Sequence, residues 1–327
     1  MTVVRKVSES GGTMLRLRPS PGGLAHERVL AIQRARILAG MTLVVCEQGI
    51  ESTTVADVVA RAGVSRRTFY DFFEDLRDCF LAALDDALVR VQERVFPAYA
   101  EEKRWVEGVR AALFELLVVF DEEPQLAALC VVQSLAGGPR VLARRGEIMR
   151  ALAAVLDQGA GRRAGQVPPL TGEGLAGAVF AVIHARLIDP GSEPLTELSG
   201  ALMAMIVLPY LGSAAARREL TRRPPVASRP ECPASPADPL MGLGMRVTYR
   251  TLRVLATIAG HPGVCNRELG SLAGIADQGQ TSKLLTRLER LELIHNTGEG
   301  HTKGATNAWA LTPKGLSIHE TFNTYIT

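Results

Sequence analysis

The sequence predicts an all-α protein with a small α+β domain at its C-terminal end. Apolar residues recur at helical spacing through most of the 327 residues, and only 5% are aromatic, as is typical of Ala-, Leu- and Val-rich helical proteins. Near the C-terminus, a Gly-rich segment separates two short apolar stretches, which indicates a β-hairpin. Hydrophobic residues make up 47% of the chain, enough for well-formed cores.

The distribution of charge divides the chain into basic ends and an acidic middle. Residues 1–36 carry a net charge of +5 and residues 37–211 carry −7. Residues 212–240 carry +2 and residues 241–327 carry +3. This pattern fits a polyanionic partner at the ends of the chain, although solvated surface charge explains it equally well.

Cysteine usage and hydropathy give no pattern typical of a metal site, a disulfide framework or a membrane span. The five cysteines lack Cys-x-x-Cys spacing and neighbouring histidines, so we expect free thiols in a reducing cytoplasm and no cofactor. No apolar run approaches the ~20 residues of a membrane helix, and the N-terminus lacks the apolar core of a signal peptide. We therefore expect a cytoplasmic protein that does not bind membranes.

The composition predicts five segments. Residues 1–24 are rich in Gly, Pro, Ser and Arg and are interpreted as a flexible basic arm, either a solvated tail or a reader of the minor groove. Residues 25–96 and 97–218 are predicted to be two helical domains. Residues 219–240 are a proline-rich linker, extended rather than collapsed. Residues 241–327 are predicted to be a separate compact domain.

Helices are predicted where apolar residues recur every three to four positions between Gly, Pro and acidic breaks. The first covers Glu27–Glu47 and ends at Gly49, because glycine accepts a left-handed backbone. The acidic residues Asp121–Glu123 are interpreted as a solvated helix end. Further predicted helices are Leu76–Val95 before Pro97, Trp105–Phe120, Leu126–Leu135 after Pro124, and Val141–Leu156.

The stretch Thr53–Phe73, TTVADVVARAGVSRRTFYDFF, predicts two short helices joined by a tight turn. Thr54 and Asp57 have the spacing of a capping box, Gly63 suits the turn, and Ser65 is expected to cap the second helix. Such a pair is a helix-turn-helix, whose second helix enters the DNA major groove. The residues expected to face inward are Val64, Phe69 and Phe73.

Residues 36–80, RILAGMTLVVCEQGIESTTVADVVARAGVSRRTFYDFFEDLRDCF, resemble the N-terminal DNA-binding domain of TetR-family transcriptional regulators over about forty-five consecutive positions. The resemblance implies phosphate contacts from Thr53 or Thr54 and from Tyr70. It also implies base contacts from Arg66, Arg67 and Thr68, next to the capping residue Ser65. Arginine can donate two hydrogen bonds to guanine, which agrees with this assignment.

One position departs from the family pattern. Where TetR-family proteins often place a phosphate-contacting lysine at the start of the next helix, this chain has Leu76, followed by Arg77. The resemblance therefore does not carry a phosphate contact over to that corner.

The middle of the chain offers helices but no identifiable pocket. In the resembled family such helices enclose a small-molecule effector, whereas the residues themselves show only apolar faces that core packing explains. Two later helices resemble the pair that forms the dimer interface of TetR-family proteins, so a homodimer is implied. The predicted interface residues are Leu175, Val179, Val182, Ile183, Leu198, Leu202, Met205 and Ile206.

The last domain is predicted to contain helices at Val247–Ala259, Asn266–Ala273 and Asp277–Leu291, the second of them capped by Asn266. Two strands, Leu293–Asn296 and Asn307–Leu311, and a final helix follow. RELGSLAGIADQGQTSKLLTRLERLELI and ALTPKG resemble the winged helix-turn-helix of MarR-type regulators, without that family's long dimerising helices. DNA contacts are expected from Gln280, Thr281, Ser282, Lys283 and Arg287, and from His301 and Lys303 on the wing.

These resemblances imply a dimeric, ligand-responsive transcriptional regulator, a repressor in most of the family, that binds a palindromic double-stranded operator. Its effector is an unknown small molecule. Two alternatives stay open. The winged domain is a protein-interaction module and only the N-terminal domain binds DNA, or the chain is a small-molecule enzyme or carrier. No nucleophile–base pair, paired carboxylates or phosphate-binding Gly loop favours the enzyme.

Overall fold

The computed structural model describes residues 26–159, 161, 167–189, 191, 193–222, 249–275, 277–298 and 306–324. The chain forms two compact units, one of Ala31–Val247 and one of Met1–Leu30 with Thr248–Thr327. The predicted basic arm, most of the predicted linker, Cys232 and the wing residues His301 and Lys303 lie outside the described residues.

Four helices begin the described chain: α1 (His26–Gln48), α2 (Val55–Ala62), α3 (Arg66–Phe72) and α4 (Leu76–Ala100). The predicted end of α4 before Pro97 is wrong. Pro97 lies in an exposed last turn, where the loss of one backbone hydrogen bond is tolerated, and its carbonyl accepts from Glu101 N at 3.0 Å. The core between these helices contains Ile37, Met41, Phe69, Phe80 and Leu84.

The next helices are α5 (Trp105–Glu122), a short α6 (Pro124–Ala127) and α7 (Pro139–Asp157). A π-helical turn, Ala128–Val132, and a 3-10 turn, Gln133–Leu135, follow α6 in the segment where the sequence predicts one helix over Leu126–Leu135. Glycine is required just before α7, because a Cβ on Gly137 would lie 2.6 Å from the Phe80 ring.

The interpretation of Asp121–Glu123 as a solvated helix end is wrong. The Asp121 carboxylate accepts from the backbone N–H groups of Leu195 and Thr196 at 2.8 and 3.0 Å. Glu122 pairs with Arg94, and Glu123 pairs with Arg90. These acids therefore join α4, α5 and the turn that precedes α9, rather than facing only solvent.

Three more helices complete this unit: α8 (Thr171–Leu187), α9 (Ser199–Leu211) and α10 (Ser213–Thr221). A 3-10 turn, Leu195–Leu198, leads into α9. Helix α10 extends into the segment predicted to be linker from residue 219. Its Glu219 is buried and receives two hydrogen bonds from Arg110, at 2.8 and 2.6 Å, which fixes α10 against α5.

One helix is long and apolar enough to span a membrane by length and composition, a test that the mostly buried core helix of a soluble protein also passes. It is Val29–Gln48 within α1, with a mean hydropathy of 1.6, and 56% of it is buried in the protein. The bent pair Pro124–Leu135 and Pro139–Asp157 passes the same test only if its two helices are taken together.

The C-terminal unit contains α11 (Tyr249–Gly260), α12 (Asn266–Leu272), α13 (Gln278–Arg290), strands β1 (Ile294–Asn296) and β2 (Trp309–Leu311), and α14 (Pro313–Thr324). The strands are antiparallel, with Ile294 opposite Leu311 and Asn296 opposite Trp309. Val264 forms an isolated bridge to Trp309. The residues buried between these elements include Leu252, Ile258, Leu285, Leu288 and Trp309.

The predicted cap of α12 is wrong by one residue. Cys265 is the N-cap, and its backbone N–H donates to the Glu268 carboxylate at 3.4 Å. Asn266 is the first helical residue, and its Oδ1 accepts from Trp309 Nε1 at 2.6 Å. The asparagine therefore holds β2 against α12 instead of capping the helix.

Candidate DNA-binding surface

The first helix of the helix-turn-helix, α2, begins at a complete capping box. Thr54 Oγ1 accepts from Asp57 N at 3.3 Å, and the Asp57 carboxylate accepts from Thr54 N at 3.0 Å. The Thr54 hydroxyl and backbone, as hydrogen-bond donors, hold the pKa of Asp57 below its usual value. Helix α2 ends at Gly63, whose φ of 65° is the left-handed conformation that glycine accepts without strain.

Helix α1 holds the turn of the helix-turn-helix through two arginine contacts. The buried Arg36 donates from Nε to Ala62 O at 2.8 Å, at the C-terminal end of α2. Arg61 binds Glu47 with two hydrogen bonds, at 2.7 and 2.5 Å. At Gly40, a Cβ would lie 3.2 Å from Ala62, so α1 and α2 cross closely. These contacts fix α2 relative to α1.

Helix α3 presents its polar residues outward because its apolar residues are buried. The Ser65 hydroxyl caps the helix by accepting from Thr68 N at 3.0 Å. Phe69 is 0% exposed, whereas Tyr70 is 58% exposed. Arg66 and Arg67 are exposed on the same side as Tyr70, as the i, i+1, i+4 spacing requires. The predicted inward positions Val64, Phe69 and Phe73 are confirmed as buried.

Two predicted contact residues are less available than the sequence suggests. Thr53 is only 5% exposed, and its hydroxyl donates to Gly49 O at 2.7 Å, whereas Thr54 is exposed. Thr68 is half-buried, and its hydroxyl lies 2.8 Å from Ser65 Oγ. Its methyl group, rather than its hydroxyl, is the part left for a base contact.

Two arginines beside α3 were not identified as site residues from the sequence. Arg34, exposed on α1, lies 6.0 Å from the centre of the Phe73 ring, close to the end of α3. Arg36 is the second. Its position four residues after buried Ile32 on an apolar helix face is the signal that marks it as a buried structural arginine. Arg77 packs against Gly138 so closely that a Cβ at this position would overlap the guanidinium.

Only some of the side chains on α13 that are predicted to contact DNA are exposed and free of other hydrogen bonds. The prediction that Thr281 faces DNA is wrong: Thr281 is 1% exposed, and its hydroxyl donates to Asp277 O at 3.1 Å. Gln280 is exposed, but its Oε1 accepts a hydrogen bond from Arg250. Ser282, Lys283 and Arg287 are exposed. Thr281 lies on the same face of α13 as buried Leu285 and Leu288, so its side chain points into the unit rather than along the outer face.

The predicted dimer residues divide into two sets. Val179, Ile183, Leu202 and Ile206 are buried in the core of their own chain, so assigning them to a subunit interface is wrong. They lie on the inner faces of α8 and α9. Leu175, Val182, Leu198 and Met205 are half-buried. The outer faces instead carry mostly small or apolar exposed residues: Gly174, Gly177, Ala181 and Ala185 on α8, and Ala201 and Leu208 on α9.

The helices α4, α5, α7, α8 and α9 enclose an apolar cavity of about 100 Å³. Its lining includes Val95, Leu113, Leu152, Phe180 and Ile206. Tyr99 supplies the only side-chain hydroxyl among the lining residues, and it donates to Gln158 Oε1 at 3.1 Å. The cavity therefore suits an apolar group.

The sequence model of the family "Bacterial regulatory proteins, tetR family" matches residues 43–83. This segment runs from α1 through α2 and α3 into α4 and contains the capping box, the turn and the recognition helix. The helix-turn-helix segment of this chain is therefore similar to that of TetR-family proteins. TetR-family proteins are DNA-binding transcription regulators, typically ligand-responsive repressors, and are not enzymes.

Solved structures similar to this chain cover little more than half of it. The fatty acid degradation regulator FadR from Bacillus halodurans is 15% identical, with a TM-score of 0.49, over 54% of this chain and 94% of that one. FadR from Bacillus subtilis, in complex with stearoyl-CoA, is 16% identical, with a TM-score of 0.47, over 53% and 97%. No curated protein sequence matches the chain.

SmeT, the repressor of the Stenotrophomonas maltophilia multidrug efflux pump SmeDEF, is also 16% identical, with a TM-score of 0.47, over 60% of this chain and 96% of that one. The TetR-family match contains all seven N-terminal candidate residues, from Thr53 to Tyr70. The α13 residues and the helices α8 and α9 lie outside it.

Proposed function

We propose that this chain is a ligand-responsive transcriptional repressor of the cytoplasm that binds a palindromic operator as a homodimer. The observation that carries the proposal is the outward row of Arg66, Arg67 and Tyr70 on α3, held in place by buried Phe69. Among the described residues, no hydrogen bond or ion pair engages the guanidinium groups of Arg66 and Arg67. These groups are available to guanine edges and phosphates.

The proposed dimer joins two chains through the outer faces of α8 and α9. The small residues Gly174, Gly177, Ala181 and Ala185 follow one another along the exposed side of α8, and small side chains permit close helix approach. Two α3 helices presented in this way would read half-sites about 34–36 Å apart, one turn of DNA. A ligand in the apolar cavity would change that spacing and release the operator.

The experiment is a fluorescence anisotropy titration of the full chain with its own upstream DNA. Arg67→Ala and Tyr70→Phe are compared with Arg150→Ala, which removes an exposed arginine from α7. We expect the two α3 variants to bind more weakly and the α7 variant to bind as the parent does. Equal binding by all four proteins would show that α3 does not read the operator.

A second role is proposed for the C-terminal unit, as a winged helix-turn-helix that adds DNA contacts. Exposed Ser282 and Lys283 on α13 favour it, although burial of Thr281 removes one predicted contact. Lys283→Gln in the full chain is expected to reduce the slope of log affinity against log salt by about 1 if Lys283 binds phosphate. An unchanged slope would favour a protein-interaction role for this unit.

A further inference from the structure

One arginine of the helical body, Arg145 on α7, differs from its neighbours in having no acidic partner. Arg94, Arg110 and Arg144 each bind a carboxylate, and their pKa values are raised by those partners. Arg145 forms no ion pair within the part of the chain that the structure describes. Burial lowers the pKa of its half-buried guanidinium.

The groups that bind the Arg145 guanidinium are uncharged, and their hydrogen bonds are long. Its Nη1 donates to Cys130 O at 3.4 Å and lies 3.3 Å from Ser134 Oγ. Cys130 belongs to the π-helical turn Ala128–Val132, and its carbonyl already accepts from Ser134 Oγ at 2.7 Å. A charge-assisted hydrogen bond between arginine and an anion is typically about 2.7–2.9 Å long and roughly twice as strong as a neutral one. An anion would therefore bind Arg145 in preference to these groups.

The guanidinium of Arg145 also lies beside the apolar cavity. Its central carbon is 5.6 Å from the centre of the Phe180 ring, and Phe180 lines the cavity. The cavity and the cation are thus separated by a single aromatic side chain. A molecule with an apolar body in the cavity would reach Arg145 with its polar end by displacing that ring.

We propose that the effector is a small carboxylate with an apolar tail, whose tail occupies the cavity and whose carboxylate pairs with Arg145. This inference names the ligand class for the effector site of the proposed function and rests on that function. At about 30 Å³ for each water-sized group, a cavity of about 100 Å³ holds three or four carbon atoms. One or two further carbons would span the position of the displaced Phe180 ring between the cavity and Arg145, so acids of about five to seven carbons are the class that fits.

Binding at Arg145 has a path to the DNA-binding helices. The π-helical turn follows α6 directly, and Gln125 O in α6 accepts from Cys46 Sγ in α1 at 3.4 Å. An anion that draws Arg145 away from Cys130 O removes one of the two donors holding that turn. The turn and α6 then relax against α1, which carries the contacts that fix α2.

The test compares three ligands of equal chain length on the purified full chain by isothermal titration calorimetry: hexanoate, 1-hexanol and hexylammonium. Hexanoate is expected to bind at least about tenfold more tightly than 1-hexanol, since hydrogen bonds to charged groups are the stronger ones, and hexylammonium is expected not to bind. Equal affinity for hexanoate and 1-hexanol, or no binding of either, would overturn the proposal without any variant being needed.

The matched variants are Arg145→Gln and Arg150→Gln, both on α7. Arg145→Gln is expected to bind hexanoate and 1-hexanol within about twofold of each other, whereas Arg150→Gln keeps the parent's preference. Retention of the hexanoate preference by folded Arg145→Gln would contradict the assignment. Operator binding is measured separately by fluorescence anisotropy. A chain that does not bind the operator can therefore still give a clear ligand-binding result, and a chain that does not bind hexanoate can still give a clear operator-binding result.

Discussion

The two candidate recognition helices, α3 and α13, differ in how many of their polar side chains are buried or hydrogen-bonded within the protein itself. On α3, Arg66, Arg67 and Tyr70 are exposed around a buried phenylalanine. On α13, Thr281 is buried and Gln280 binds Arg250. A helix whose polar residues serve its own fold has fewer of them left for a partner. The comparison therefore favours α3 as the primary reader of DNA and α13 as an auxiliary contact.

Phe69→Ala is the change expected to have the largest effect. Phe69 is fully buried, and truncation of a buried phenylalanine typically costs about 3–5 kcal/mol of the free energy of unfolding. Urea denaturation measures the loss, with exposed Val89→Ala on α4 as a control expected to change stability by less than about 0.5 kcal/mol. A loss below about 1 kcal/mol for Phe69→Ala would mean that α3 is not held by this ring.

The counterpart in α13 is Leu288→Ala, which removes a buried leucine from the C-terminal unit at a typical cost of about 2–5 kcal/mol. If α3 is the primary reader, Phe69→Ala abolishes operator binding while Leu288→Ala only weakens it. A larger loss of operator affinity for Leu288→Ala than for Phe69→Ala in anisotropy titrations would make α13, rather than α3, the primary reader of DNA.

Arg66→Ala is expected to weaken operator binding by about 1–3 kcal/mol, the usual contribution of an arginine that contacts a base. Lys283→Ala on α13 is expected to cost less, since a lysine that contacts phosphate chiefly changes the salt dependence. Parallel titrations at two salt concentrations separate the two contributions. Equal losses of operator affinity for the two variants would mean that α3 and α13 contribute equally to DNA binding.

Thr281→Val is expected to lower the free energy of unfolding by about 1 kcal/mol, because it removes a buried hydroxyl that donates to Asp277 O. Operator affinity should stay unchanged. Thr68→Val on α3, half-buried at the predicted DNA face, is the matched substitution and should change affinity more than Thr281→Val does. A loss of affinity in Thr281→Val would mean that α13 is rearranged on DNA.

The smallest expected effect is a change in how much the melting temperature falls at acid pH. The pKa values of Asp57 and Asp277 are lowered, in both cases chiefly by hydrogen bonds at helix N-termini. A lowered folded-state pKa stabilises the protein above the unfolded value, near 3.9, and this stabilisation is lost as pH falls below it. Melting temperatures of Asp57→Asn and Asp277→Asn should therefore fall less than the parent's between pH 5 and pH 3. An identical fall in melting temperature for the parent and both variants would show that neither aspartate stabilises the fold by capping its helix.

The sequence predicts the helix-turn-helix well because its signals are local. The capping box, Gly63 and the buried positions of α3 each depend on residues within a few places of one another. The sequence misassigns Asp121 and Glu219 because distant partners decide their roles. Asp121 binds backbone more than seventy residues away, and Glu219 binds Arg110 more than a hundred residues away. No local pattern records such contacts.

The same reason explains the dimer residues and the cavity. Helical spacing identifies the apolar side of α8 and α9, but it does not say whether that side meets the same chain or another one. Val179 and Ile206 proved to pack within the chain and to line the cavity. Arg145 carries no sequence signal, since its lack of an acidic partner is a property of the folded neighbourhood.

Helix α3 is only seven residues long, and isolated helices shorter than about 12–15 residues are marginal in water. Its order therefore depends on packing, since Phe69 belongs to the same buried core as residues of α1, α2 and α4. During synthesis, residues 66–72 cannot hold this shape as they leave the ribosome. The surface proposed to read DNA is therefore expected to form only once α4 has emerged and packed, so an incomplete chain would not present it.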